Sequence, residues 1–141
     1  LTGKSEMGVF SLPDTLHSAV GAVETTAHEK SLTLECAIEP SVGDIVGDRC
    51  SIEEMVTNLL QNAIRYTPEG GAVSITARND EDCVLVEVAD TGIGIPPEEQ
   101  GRIFDEFYRA ANARNVERDG TGLGLSIVRL IMERHGGEIQ E

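Results

Sequence analysis

The run Cys83-Val84-Leu85-Val86-Glu87-Val88-Ala89 leads without a break into Asp90-Thr91-Gly92-Ile93-Gly94-Ile95-Pro96. This junction constrains the fold more than any other stretch. An alternating apolar run reads as a strand, so a sheet must deliver one carboxylate at its end. Two glycines then allow a sharp turn or the close approach of another group to the backbone. A strand-end aspartate can accept a charge-assisted hydrogen bond from an amine, and a purine exocyclic amine is such a donor. An Asp that caps a local N–H in a glycine turn accounts for the same residues. On these residues alone the turn is the simpler reading, and the neighbouring motifs shift the balance.

The chain of 141 residues fits one domain with its own core, and its 40% hydrophobic content is that of a globular protein. With 4% aromatics and no Trp, that core is aliphatic. A net charge of −14 makes nucleic acid and anionic membrane poor partners. An anionic ligand would need local backbone N–H groups, a few Arg or Lys, and a metal. Cys36, Cys50 and Cys83 are odd in number and far apart, which suggests reduced thiols in a cytoplasmic protein and argues against a zinc site. No signal peptide and no apolar run of membrane-spanning length stand out. Because the chain starts at Leu1, a fragment of a longer protein is expected.

Taken in order, residues 1–8 read as a polar, glycine-containing linker. Val9–Leu12 reads as a short edge strand, and Pro13 opens a helix carrying Leu16, Val20 and Val23 to about Glu29. Ser31–Ile38 alternates as a strand with Leu32, Leu34 and Cys36 on one face, and Asp44–Gly47 is a second short strand. Asp48 or Ser51 caps the next helix, with Ser51-x-x-Glu54 in capping-box form. That helix runs to about Arg65, with Ile52, Met55, Val56, Leu59, Leu60 and Ala63 inward, and Pro68, Gly70 and Gly71 stop it. Ala72–Arg78 and Cys83–Ala89 form a hairpin across Asn79–Asp82. Pro96–Phe107 reads as a short helix, residues 108–120 as a polar mobile loop, and Leu123–Arg134 as a third long helix. Glu138–Glu141 looks like the start of a strand that is cut off. About six strands in consecutive antiparallel pairs, with three longer helices, predict an α+β, two-layer α/β sandwich.

Two further features bear on chemistry. Asn58 and Asn62 lie one turn apart on one helix face, with Arg65 and Tyr66 a turn further on. Asn is a poor choice in a helix interior, and two on one stripe suggest a purpose. A neutral amide oxygen suits Mg²⁺ when phosphates supply the remaining charge; an incidental polar face explains the pair equally. The octet Asp119-Gly120-Thr121-Gly122-Leu123-Gly124-Leu125-Ser126 opens the expected third helix, where exposed N–H groups and the dipole favour phosphate. It is neither a Walker A loop nor the dinucleotide fingerprint, and a flexible hinge is the plain alternative.

Together these features resemble the ATP-binding domain of bacterial sensor histidine kinases, within the class that also holds gyrase, the mismatch-repair ATPases and the heat-shock chaperone ATPases. Asn58–Pro68 resembles the family's asparagine box and Asp90–Pro96 its first glycine box. Ile103–Arg109 resembles its phenylalanine box, and Gly120–Ser126 its second glycine box. Order and spacing also match, over roughly residues 10–141. The resemblance implies the Bergerat ATP-binding sandwich, a mixed, mostly antiparallel sheet packed on three helices. It implies ATP and Mg²⁺ as cofactors. Asp90 would receive the adenine amine, beside Gly92, Gly94 and Ile95. Asn62 would hold Mg²⁺ with Asn58 as a second candidate ligand, and Arg65 and Tyr66 would contact phosphate or ribose. Residues 108–120 would form a lid anchored by Phe104 and Phe107, with Arg109, Arg114 and Arg118 as candidates for the γ-phosphate. Gly120, Thr121, Gly122, Leu123, Gly124 and Leu125 would line the phosphates.

Asn58 stands where hydrolysing members of the class carry a Glu, and an amide is no base for water. The resemblance therefore implies that ATP is held for attack by another nucleophile, in the kinases a His on a separate dimerisation domain. Of the three histidines, His28 is followed by Glu29 as in a phosphoacceptor, but leads into a strand and reads as a surface residue; His135 suits a helix C-terminus. The expected organisation is a linker at 1–8 from a missing dimerisation domain and an ATP-binding kinase domain at 9–141 with its last strands truncated. The expected partners are that dimerisation domain and, through the parent, a response regulator. The isolated domain would be a cytoplasmic monomer without direct membrane contact, and its parent a homodimer that could be membrane-anchored. An anti-sigma-type protein-serine kinase and a nucleotide-binding scaffold without phosphotransfer are the alternatives.

Overall fold

The computed structural model describes residues 8–81, 83–91, 115–120 and 126–133, the last two stretches by their backbone. The elements run β1 (Gly8–Ser11), α1 (Leu12–Glu29), β2 (Thr33–Ile38), β3 (Asp44–Gly47), α2 (Arg49–Arg65), β4 (Ala72–Asp80), β5 (Cys83–Asp90), β6 (Asn115–Gly120) and β7 (Ser126–Glu133). Ser11 starts α1: its hydroxyl accepts from Asp14 N at 3.3 Å, and Pro13 occupies the first turn. Asp48 starts α2 by accepting from Ser51 N at 3.3 Å, which decides between the two candidate caps. Ser31, with φ 60°, reverses the chain after α1.

Two sheets result. β1 and β3 pair antiparallel; the larger sheet has the order β2-β4-β5-β7-β6. One face of that sheet meets both helices. Val73, Ile75 and Ala77 of β4 and Val84, Val86 and Val88 of β5 enter one core with Leu16, Ala19, Val20 and Val23 of α1. Ile52, Met55, Val56, Leu59, Leu60 and Ala63 of α2 complete it, all at most 1% exposed. The period-2 and period-3.6 stripes of the sequence are therefore the two layers of the sandwich. Among the described residues, no helix is long and apolar enough to cross a membrane.

The sheet is mixed and mostly antiparallel: among the described residues β2 alone pairs in parallel, with β4, because β3 and α2 intervene and carry the chain back to the same end of the sheet. Two expectations are corrected. Residues 115–120, expected in a loop, form β6, with Arg118 opposite Val128 and Gly120 opposite Ser126. The helix expected over Leu123–Arg134 is strand β7 across Ser126–Glu133, which leaves two long helices among the described residues. Ile127, Val128 and Ile131 are β-branched and favour a pleated surface. β5 offers them a full edge, from Cys83 opposite Glu133 to Asp90 opposite Ser126. A short, nearly continuous apolar run fits either period, and here the open ladder decides. The expected helix at 96–107 and the last strand at 138–141 lie outside the described residues.

Candidate functional site

Asn62 sits at the border of the inward stripe of α2, one turn beyond Leu59, and is 4% exposed. Its Oδ1 accepts from Arg65 Nη2 at 2.9 Å, so the amide is held in one orientation at the end of the helix. The Arg65 guanidinium also lies 5.2 Å from the centre of the Tyr66 ring, within cation–π range. Tyr66 caps α2, its N–H donating to Asn62 O at 3.1 Å. From the end of α1, Lys30 Nζ donates to Ile64 O at 2.9 Å and Arg65 O at 2.8 Å, placing a cation on the negative end of α2. Asn62, Arg65 and Tyr66 are thus in mutual contact.

Asn58, one turn earlier and half-buried, lines an open groove of about 520 Å³ along α2 with Arg49, Cys50, Glu53, Glu54, Thr57 and Gln61. Glu53 is engaged there by Ser18 Oγ at 2.7 Å and by Arg49 at 3.5 Å. The donor chemistry suits a hard cation bound together with phosphate. Asn62 Oδ1 keeps a second lone pair beside the Arg65 bond, and Arg65 is a natural phosphate partner. Among the described residues, no group of three His, Cys, Asp or Glu side chains is assembled to hold a metal ion. A cation at Asn62 would therefore draw its charge balance from the bound phosphates.

Asp90, the last residue of β5, is 3% exposed and stands opposite Val73 of β4 and Ser126 of β7. The residue after it is exposed yet bonded twice to the first residue of β4. Thr91 N donates to Ala72 O at 3.1 Å, and Ala72 N donates to Thr91 Oγ1 at 3.1 Å. Thr67, fully buried, donates its hydroxyl to Ala63 O of α2 at 2.6 Å. Gly71 lies between the two threonines. A Cβ there would collide with Thr67 Cγ2, come within 2.8 Å of Thr91 Oγ1 and within 3.1 Å of Pro68 O. Thr67, Gly71 and Thr91 escape sequence reasoning. Pro68-Glu69-Gly70-Gly71 reads only as a stop signal, and a doubled glycine after a helix is the one hint, since a single one at Gly70 (φ 88°) already meets the turn's need.

Gly92, Gly94, Ile95, Phe104, Phe107, Arg109, Arg114, Thr121, Gly122, Leu123, Gly124 and Leu125 lie outside the described residues. Arg118 and Gly120 are placed by their backbone on β6. Because strand β7 begins at Ser126, the last residue of the glycine octet, the helix dipole expected to favour phosphate there is not available from Ser126 onward. His28 is exposed in the last turn of α1, as its sequence neighbours suggest, and His17 is exposed on the same helix. Burial raises the Cys36 thiol pKa above its ordinary value.

Residues 47–141 match the family described as histidine kinase-, DNA gyrase B- and HSP90-like ATPases. The histidine protein kinase DivJ of Caulobacter vibrioides is 34% identical over 134 residues, covering 95% of this chain and 22% of DivJ. The sensor histidine kinase Hik2 of Synechocystis is 38% identical over 136 residues, covering 92% of this chain and 31% of Hik2. The chain therefore spans about a fifth to a third of the length of these relatives. Among solved structures, the catalytic domain of histidine kinase ThkA superposes with a TM-score of 0.79 at 19% identity, covering 92% of this chain and 97% of that one. At that identity the likeness is one of fold.

Proposed function

Since the chain belongs to the histidine kinase-, DNA gyrase B- and HSP90-like ATPase family, we propose that it binds Mg-ATP and presents the γ-phosphate to a histidine on a separate dimerisation domain, as the catalytic part of a two-component sensor kinase. The observation that carries this reading is the pairing of two buried acceptors at neighbouring element ends. The Asp90 carboxylate stands at the end of β5, and the Asn62 amide at the end of α2 under Arg65. The carboxylate suits a purine amine. The amide and guanidinium suit a magnesium-phosphate group. When bound, Mg²⁺ would neutralise charge on the phosphate oxygens; Asn62 would hold it, with Asn58 as the neighbouring candidate. Arg65 and Tyr66 would steady the phosphates or ribose. Asn58, an amide facing the groove, supplies no base for water, so hydrolysis is slow and transfer to an external nucleophile is the productive outcome.

The length of the relatives supports placing the phosphoacceptor and the contact with a response regulator in a longer parent. We take the parent to be a dimer and this part to face the cytoplasm. The exposed His17 and His28 sit on a core-packed helix of this domain, which favours an acceptor supplied from elsewhere.

The test is to incubate the chain with γ-labelled ATP, with and without a separately supplied histidine-bearing dimerisation domain. The expected result is acid-labile label on the supplied domain and little ADP in its absence. Label on serine or threonine would favour the anti-sigma-type kinase, and nucleotide binding without any transfer would favour the scaffold.

A further inference from the structure

Asp90 ends a strand, and the residue that follows it is fastened to the neighbouring strand. Thr91 extends the β4–β5 ladder by one step beyond Asp90, its hydroxyl accepting the Ala72 N–H at 3.1 Å while its own N–H donates to Ala72 O at 3.1 Å. A side-chain oxygen thus stands in for the carbonyl of a further strand residue, which neither alanine nor valine can do. On the other side of this ring, Gly71 leaves room for Thr91 and Thr67 to close over the backbone. Thr67 is in turn bonded to Ala63 O, the residue after Asn62. A continuous line of contacts therefore runs from the asparagine end of α2 through Thr67, Gly71 and Thr91 to the aspartate end of β5.

We propose that Thr91 is a positioning residue for purine recognition, fixing the Asp90 carboxylate against β4 and, with Thr67 and Gly71, holding it at a set place relative to Asn62. This rests on the reading of Asp90 as the purine-amine acceptor. A hydrogen bond to an exocyclic amine weakens steeply with angle, and recognition groups need placing to within about half an ångström. Loosening Thr91 should therefore cost discrimination between bases before it costs the fold.

The experiment compares binding of ATP and of inosine triphosphate, which carries an oxygen acceptor in place of the amine, to wild type, Thr91→Val and Thr91→Ser. The ratio of the two affinities is independent of the fraction of protein folded. Wild type should prefer ATP by roughly tenfold or more, the scale of one hydrogen bond to a charged group. Thr91→Val should reduce that preference by roughly fivefold, the scale of a lost positioning bond, and Thr91→Ser, which keeps the hydroxyl, should restore it. Thr91→Ala gives the same reading without β-branched bulk should the valine variant fail to fold. A wild-type preference retained in Thr91→Val or Thr91→Ala would overturn the positioning role and leave the Asp90 reading standing. No preference in wild type would overturn the Asp90 reading, and the positioning role with it.

Discussion

At the scale of single residues, two buried polar groups and one packed glycine define the candidate site. Asp90, 3% exposed, and Asn62, 4% exposed, are both buried, and burying such groups is unfavourable unless they are bonded. Asp90→Ala should lower ATP affinity roughly ten- to a hundredfold, the equivalent of about 1.5–3 kcal/mol for a hydrogen bond to a charged group. Titration calorimetry reads this directly, and near-unchanged affinity would remove Asp90 from the adenine site. Asn62→Ala should abolish the Mg²⁺ dependence of nucleotide binding, with Arg65 losing its 2.9 Å partner at the same time. A Mg²⁺ effect that persists would put the metal on other residues. The thiols offer an independent check of local environment. Cys50 is exposed, whereas Cys36 is half-buried with its pKa raised by burial. A raised pKa means less thiolate at a given pH, and the thiolate is the reactive form. Alkylation at mildly alkaline pH should therefore modify Cys50 well before Cys36, as mass spectrometry of a time course would show; equal rates would contradict the packing of β2 against the core.

At the scale of elements, α2 is the piece on which the site depends, and both its ends are fastened. Asp48 caps the first turn, and Lys30 reaches across from α1 to the last carbonyls. Asp48→Ala should destabilise the fold by about 1 kcal/mol, within the usual range for a lost N-cap, read as a lower urea midpoint at unchanged slope. A midpoint unmoved by this change would mean that the cap is not holding α2. This helix and the β4–β5 hairpin were legible in the sequence, because each combines a clean period with a strong stop. Leu59, Leu60 and Ala63 continue a 3.6-residue stripe up to the Pro68–Gly71 block, and Val73, Ile75, Ala77 and Val84, Val86, Val88 keep a strict alternation. β7 was not legible as a strand. Ile127, Val128, Leu130, Ile131 and Met132 fill both periods, and what selects the strand is the free edge of β5, which no local pattern records. The parallel β2–β4 pairing is hidden for the same reason, since it follows from the crossover through α2 rather than from either strand.

For the whole molecule, the sheet order brings β5 to the middle, with β4 and β7 on either side, so Asp90 is presented from the interior of the sheet rather than from an edge. Asn58, Asn62, Arg65, Tyr66 and Asp90 could be named from their motifs. The packing of Thr67, Gly71 and Thr91 could not, although Thr67 and Thr91 fall within those motifs, because the bond from Ala72 to Thr91 joins residues that no helix or turn spacing connects. A chain with a net charge of −14 binds a polyanion only through a site that concentrates cations and donors locally, so its nucleotide binding should depend on Mg²⁺. A calorimetric titration of the folded chain with a non-hydrolysable ATP analogue, with and without Mg²⁺, on a sample whose cooperative melt is followed by circular dichroism, reads this dependence. Micromolar-range binding that weakens markedly when Mg²⁺ is removed is the expected result. A cooperatively melting protein that takes up no nucleotide, or takes it up equally without Mg²⁺, would contradict it.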